Sequence, residues 1–179
     1  MAKIYLQRHT RPLVAPNICY GVSDIPLHEE FMTLHLGEVL GRLEGIKVAN
    51  IYSSPLQRCL SLANIIAEHQ EIAEVIIERR AMELNFGDWE MISWDDIFES
   101  PEGKAWFNDY INYPTPHGEA FSDLVARAQE VWHEFKNANE DILIVTHSGF
   151  MRAMMIVAGV VSPTDAFSAK IEYGELVVL

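Results

Sequence analysis

Near each end of the chain an apolar run stops on a histidine. The first is Lys3-Ile4-Tyr5-Leu6-Gln7-Arg8-His9-Thr10, and the second is Ile142-Leu143-Ile144-Val145-Thr146-His147-Ser148-Gly149. Short runs rich in β-branched and long aliphatic residues, closed by polar or turn residues, read as strands buried in a sheet. In open α/β sheets, ligands bind outside the carboxyl ends of the strands, so the last residues of such strands are where chemistry is displayed. Two strands that both deliver a histidine there suggest imidazole chemistry.

The intervening pattern alternates. After a loop over roughly residues 10–28, Phe31, Leu34, Leu36, Val39, Leu40 and Leu43 recur at helical spacing, with Gly45 suited to the helix end. Ala49–Ser53 reads as a second strand, and Pro55 as the first position of a helix that buries Leu56, Leu60, Ala63, Ile66 and Ala67. Glu74–Glu78 resembles a third strand. Phe121, Leu124, Val125, Ala128, Val131, Trp132 and Phe135 form a helical stripe, and Phe150–Val157 an apolar helix after the fourth strand, Ile142–Val145. Ala169–Tyr173 and Glu175–Val178 read as a closing pair of strands about Gly174. Strands alternating with helices imply an α/β fold, a three-layer α/β/α sandwich with a mostly parallel central sheet. The pattern breaks over about 85–118, which holds three of the four tryptophans and reads as an insertion capping the site. With 179 residues and no linker or repeat, residues 1–179 are expected to form one domain.

Composition removes several classes. Thirteen basic against 26 acidic side chains give a net charge of −13, which repels phosphate backbones and argues against nucleic acid as a partner. No apolar run is long enough to span a bilayer, so no membrane association is expected. The N-terminal segment reads as a strand rather than a signal peptide, which makes the cytoplasm the default location. Cys19 and Cys59 are expected to be free thiols, and neither has metal-ligand spacing. No metal and no cofactor are expected.

Taken together, the strand ends offer Arg8 and His9, then Arg58 in the first turn of a helix after Ser53-Ser54-Pro55-Leu56-Gln57, then Glu83, then His147. With Arg8-His9-Thr10, Ser53-Ser54-Pro55-Leu56-Gln57-Arg58, the Glu83-Leu84-Asn85-Phe86-Gly87-Asp88-Trp89-Glu90 block and Thr146-His147-Ser148-Gly149 in this order, the chain resembles the histidine phosphatase superfamily. That superfamily includes the cofactor-dependent phosphoglycerate mutases and many small phosphatases. Arg11-Pro12, Cys19-Tyr20-Gly21, Ser23-Asp24-Ile25-Pro26-Leu27, Gly87-Asp88-Trp89-Glu90 and Pro116-His117-Gly118-Glu119 look like its α-ribazole phosphatase branch. One departure stands out: Thr10-Arg11-Pro12 replaces the Gly-Glu-Thr common after the Arg-His pair, and Asn17 is out of register with the phosphate-binding Asn of many members.

The resemblance implies a phosphoglycerate mutase-like fold and a metal-independent phosphomonoester phosphatase that forms a phosphohistidine on His9. The catalytic residues it implies are His9, Glu83, Arg8, Arg58 and His147. Phosphate and substrate contacts would come from Arg8, Arg58, His147, Ser148, Tyr20 and Gly21. Arg8 and Arg58 would present forked donors to the non-bridging oxygens, and a protonated His147 would add a third cation. Glu83 would protonate the leaving oxygen. The implied partner is a small-molecule phosphomonoester, α-ribazole-5′-phosphate of cobalamin assembly being one candidate. A phosphoglycerate mutase and a non-catalytic phospho-ligand binder on the same fold remain open at this point. His28, His35, His69, His117 and His133 read as surface or loop residues, with His117 the one that could border the pocket.

Overall fold

In the computed structural model, which describes residues 2–168 and 170–179, five strands form one sheet in the order β3-β2-β4-β1-β5. They are β1 (Ile4–Arg8), β2 (Asn50–Ser53), β3 (Val75–Ile77), β4 (Ile142–Thr146) and β5 (Leu176–Val178). The helices are α1 (Glu29–Arg42), α2 (Gln57–His69), α3 (Trp94–Glu99), α4 (Pro101–Asn108), α5 (Phe121–Phe135) and α6 (Ser148–Val157), with short 3-10 turns at Arg79–Ala81 and Gly87–Trp89. All strand pairs are parallel except β1 with β5. This is the expected three-layer α/β architecture.

Side chains that alternate along a strand point to opposite faces of the sheet, and the core divides accordingly. Ile4 and Leu6 of β1 and Ile142 and Ile144 of β4 pack with α5, α6 and the segment around Trp89 and Trp106. Tyr5, Leu143 and Val145 face the other way, onto Val39 of α1, Leu43 just after its end, and Leu62 and Ile66 of α2. The two central strands are therefore buried on both faces, which is why their sequences read as nearly unbroken apolar runs. β1 and β4 run in register, Arg8 opposite Thr146. The His9 amide continues the ladder by donating to the Thr146 carbonyl at 3.0 Å.

Some boundaries differ from the sequence reading. Helix α2 begins at Gln57, not at Pro55, because Leu56 is extended (φ −67°, ψ 134°). Its first turn is capped from a distance: Asp24 accepts from the Gln57 amide at 2.7 Å and from Gln57 Nε2 at 3.1 Å. Leu60 is half-buried, and Cys59 and Leu62 carry the packing instead. In α1, Leu34 is 64% exposed. Five residues before Val39, it lies about 140° round the helix from the buried stripe. Two expectations fall outside the described residues, the inward side chain of Phe31 and the start of a strand at Ala169. The described remainder of that strand, 170–173, is not one. The chain there turns over the end of β1, with the Gly174 amide donating to the His9 carbonyl at 3.1 Å. Only β5 joins the sheet. Among the described residues no helix is long and apolar enough to cross a membrane.

Candidate active site

His9 and His147, 138 positions apart in sequence, meet edge to face with ring centroids 5.1 Å apart. Both are buried, at 1% and 0% exposure. His9 Nδ1 lies 2.6 Å from the Thr10 carbonyl oxygen. A carbonyl only accepts, so Nδ1 carries the proton and Nε2 keeps its lone pair. Burial, followed by the charges of Arg58 and Arg8, holds the His9 pKa well below its ordinary value, against the raising effect of the Thr10 carbonyl. His9 is thus a neutral imidazole with an unprotonated nitrogen.

His147 is neutral for related reasons: burial, then Arg58, His9 and Arg8, push its pKa well down. The third cation was expected only of a protonated His147, and two arginines beside a buried imidazole disfavour that form in the empty site. His147 Nε2 meets Ser54 Oγ at 2.8 Å and Cys59 Sγ at 3.4 Å. Burial raises the Cys59 pKa, so it contributes a thiol and not a thiolate.

Among the described residues the two arginines are held by backbone and rings, not by carboxylates. Arg58 is completely buried. It donates to the carbonyls of Ser23 (2.7 Å) and Gly21 (2.5 Å) and lies 5.1 Å from the Tyr20 ring centroid. Arg8 donates to the Ile171 carbonyl at 2.5 Å, and its guanidinium lies 4.0 Å from the centroid of Tyr173. Nε of each is buried with no protein partner among the described residues. Buried charge without a counter-charge is costly, and here it is arranged as a preformed receptor for an anion.

Glu83 approaches from the loop after Arg79–Ala81. Its Oε2 accepts from the Gly149 amide at 3.1 Å and its Oε1 from the Leu84 amide at 3.0 Å. Gly149 at the start of α6 leaves room for this carboxylate, because a Cβ there would collide with it and displace it. The loop is fixed by a residue the sequence reading did not single out. Arg127 of α5 donates to the carbonyls of Arg80 (2.6 Å), Met82 (3.2 Å) and Glu83 (3.2 Å) while pairing with Glu119 at 2.9 Å. Glu90 ties the cap to the Arg58 side. It accepts from the Val22 amide at 2.8 Å, from the Phe86 amide at 3.2 Å and from the Ser23 hydroxyl, bracketing the turn whose carbonyls hold Arg58. Gly21 needs to be glycine in that turn, with φ +30° and a Cβ position already occupied by Glu90.

Arg8, Tyr20, Gly21, Glu83 and Ser148 line a cavity of about 550 Å³ with others, while His9, Arg58 and His147 lie behind that lining. The buried members touch its wall: His9 lies 5.7 Å from the Tyr173 ring, Arg58 meets Tyr20 and Gly21, and His147 meets His9. Every residue proposed from the strand ends therefore gathers at one place. Asn17 lines the cavity too, in a left-handed conformation (φ 63°), and its carbonyl accepts from Trp94. His117 does not line it; exposed, it binds Asp88 at 2.7 Å. Beyond the arginines the walls are aromatic, including Phe86, Trp94, Trp106 and Tyr110. Arg152, one helical turn beyond Gly149, also lines the cavity and was not anticipated. Among the described residues, no three or more His, Cys, Asp or Glu side chains converge as a metal site.

The class defined by this fold and site is a recognised one: residues 4–179 match the histidine phosphatase superfamily (branch 1), and the chain belongs to that family. Over 126 residues it is 29% identical to a metal-independent phosphoserine phosphatase of Arabidopsis thaliana, covering 68% of this chain and 52% of that protein. The curated relatives it matches are longer, and the chain spans between 15% and 57% of their length. Among solved structures it is similar to a phosphoserine phosphatase of Entamoeba histolytica in complex with 3-phosphoglyceric acid (TM-score 0.85, 22% identity, 99% of this chain and 90% of that one). It is equally similar to the α-ribazole phosphatase of Shigella flexneri (TM-score 0.85, 20% identity, 98% and 89% covered). At these identities the structural likenesses show the fold alone.

Proposed function

We propose that the chain is a phosphomonoester hydrolase working through a phosphohistidine on His9. The observation that carries the reading is the state of that imidazole. It is neutral, its tautomer is fixed by Thr10, and it feels the charge of two arginines that, among the described residues, have no carboxylate partner. A receptor for an anion needs the arginines, whereas a binder has no use for a lone pair held ready beside them.

In the proposed first step the Nε2 lone pair of His9 forms a bond to phosphorus. The ester P–O bond breaks, its electron pair leaves on oxygen, and Glu83 donates a proton to that oxygen. Arg8 and Arg58 neutralise the charge on the non-bridging oxygens, and the incoming dianion draws a proton onto His147, which becomes a donor. In the second step a water oxygen attacks phosphorus, Glu83 takes the water proton, the P–N bond breaks and inorganic phosphate leaves. Glu83, beside the cavity and against the first amides of α6, lies where it can serve both steps.

His9→Ala should abolish hydrolysis of an aryl phosphate, and acid-labile, alkali-stable label should appear on the wild-type chain during turnover of a 32P-labelled ester. Full activity in His9→Ala, or activity lost to a chelator, would refute the chemistry. For the finer choice, what supports α-ribazole-5′-phosphate is the motif agreement over 11–27 and 87–119. A panel including it, phosphoserine, the phosphoglycerates and sugar phosphates, ranked by kcat/KM with phosphate release recorded, also separates hydrolysis from mutase chemistry.

A further inference from the structure

Two tyrosines stand between the cavity and the groups behind its wall. Tyr20 and Tyr173 both line the cavity, whereas His9 and Arg58 do not. Each ring lies against one arginine of the phosphoryl end: the Arg8 guanidinium is 4.0 Å from the centroid of Tyr173, and that of Arg58 is 5.1 Å from the centroid of Tyr20. Tyr173 also lies 5.7 Å from the His9 ring. The two hydroxyls, 153 positions apart in sequence, meet at 2.9 Å. A hydrogen bond thus joins the ring on one arginine to the ring on the other, on the cavity side of a nucleophile that is 1% exposed.

The backbone beside each tyrosine is pinned. The Gly21 carbonyl accepts from Arg58 at 2.5 Å. The Gly174 amide donates to the His9 carbonyl at 3.1 Å, and the Gly174 carbonyl accepts from Arg42 at 2.5 Å. Parting the hydroxyls is therefore a matter of side-chain rotation, not of loop movement. Burial, then the neighbouring Tyr173, raise the Tyr20 pKa above its ordinary value, so its hydroxyl keeps its proton and can donate. Tyr20 is among the expected substrate contacts, and the sequence reading assigns Tyr173 no role.

We infer that Tyr173 and Tyr20 form a clasp over the phosphoryl site, joined hydroxyl to hydroxyl before substrate binds and parted by the entering phosphoryl group, to whose non-bridging oxygens both then donate. The inference deepens the hydrolase reading above and rests on it. In an O–H···O pair one hydroxyl donates and the other accepts, so the clasp uses one of two available donors. A hydrogen bond to an ionised acceptor is roughly twice as strong as one between neutral groups. A dianion held by Arg8 and Arg58 therefore exchanges one neutral bond for two charge-assisted ones. A neutral entrant offers no such exchange and leaves the clasp shut.

The test is a double-substitution cycle on the intact chain with Tyr20→Phe and Tyr173→Phe, which keep each ring against its arginine and remove only the hydroxyls. Each single variant loses one charge-assisted bond to the phosphoryl group, but its free form has also lost the clasp. Its kcat/KM for an aryl phosphate should therefore fall only about three- to tenfold, mainly through KM. The double variant loses two such bonds against the same one clasp. Its fall should exceed the product of the two single falls by a further factor of about three to ten. The calorimetric Kd of inorganic phosphate should follow the same pattern. Losses that simply multiply overturn the proposal, since they belong to hydroxyls that act independently. So do losses that combine to less than the product, which a purely structural contact gives, and single variants without loss. A wild-type chain that binds phosphate with this pattern across the variants, yet hydrolyses no phosphomonoester, would instead overturn the hydrolase reading and leave the clasp standing.

Discussion

The cavity has two ends built on different principles. The phosphoryl end is made from the termini of β1 and β4 and the first turns of α2 and α6, and its functional groups are held largely by backbone amides and carbonyls. The cap end comes from short helices α3 and α4, and its order rests on rings packed edge to face, such as Trp89 on Trp106 at 5.7 Å and Phe86 on Trp94 at 5.2 Å. Backbone hydrogen bonding tolerates almost no variation in geometry, while aromatic packing accepts other rings of similar volume. One end is suited to a reaction that does not change, the other to a leaving group that can.

If that contrast is right, substitutions at the two ends should fail differently. The largest effect belongs to Arg58→Met, which removes a buried donor: kcat/KM for an aryl phosphate should fall by about 100- to 1000-fold. Thermal stability should hold or rise, because an unpaired buried charge has been replaced by an apolar chain of similar volume. The same variant carries a pH signature. Arg58 lowers the His9 pKa, so its loss lets that pKa climb toward 6.5, and the acid limb of the kcat/KM profile should move to higher pH. An unmoved limb would show that His9 does not titrate in the reaction. Next in size is Gly149→Ala, which displaces Glu83. A fall of about 10- to 100-fold in kcat with little change in KM is expected from stopped-time assays, and unchanged kcat would remove Glu83 from the proton-transfer role. The smallest effect should be Trp94→Ala at the cap. It should raise KM for bulky aryl esters by about two- to tenfold and leave methyl phosphate almost unaffected. Equal losses on both esters would erase the distinction between the ends.

The same division decides what could be read from sequence. At the phosphoryl end, alternation and burial on both faces leave a plain pattern, and the polar residues that interrupt it at 8–9 and 146–147 are the ones the sheet displays. Arg127 was illegible because most of its partners are backbone carbonyls more than forty positions away, which no residue type announces. Arg152 was legible in principle: four residues after Ser148, it had to share a face with it once α6 was drawn. The start of α2 was misplaced because its cap is Asp24, contributed by a separate loop. The described part of the expected strand, 170–173, failed because hydropathy cannot report that the carbonyl of Ile171 is committed to Arg8.

The pairing of Arg8 with Thr146 has a consequence for how the two imidazoles keep their distance. Neighbouring strands lie about 4.8 Å apart wherever they pair, and the residues that follow this pair are the histidines themselves. The ladder thus sets their backbone spacing, and from there the two rings meet with centroids 5.1 Å apart. Because successive side chains point to opposite faces, a slip of one place between β1 and β4 would bring Arg8 or Thr146, not the second ring, opposite its partner. The sheet serves as a ruler, and its graduation is the spacing of two neighbouring strands.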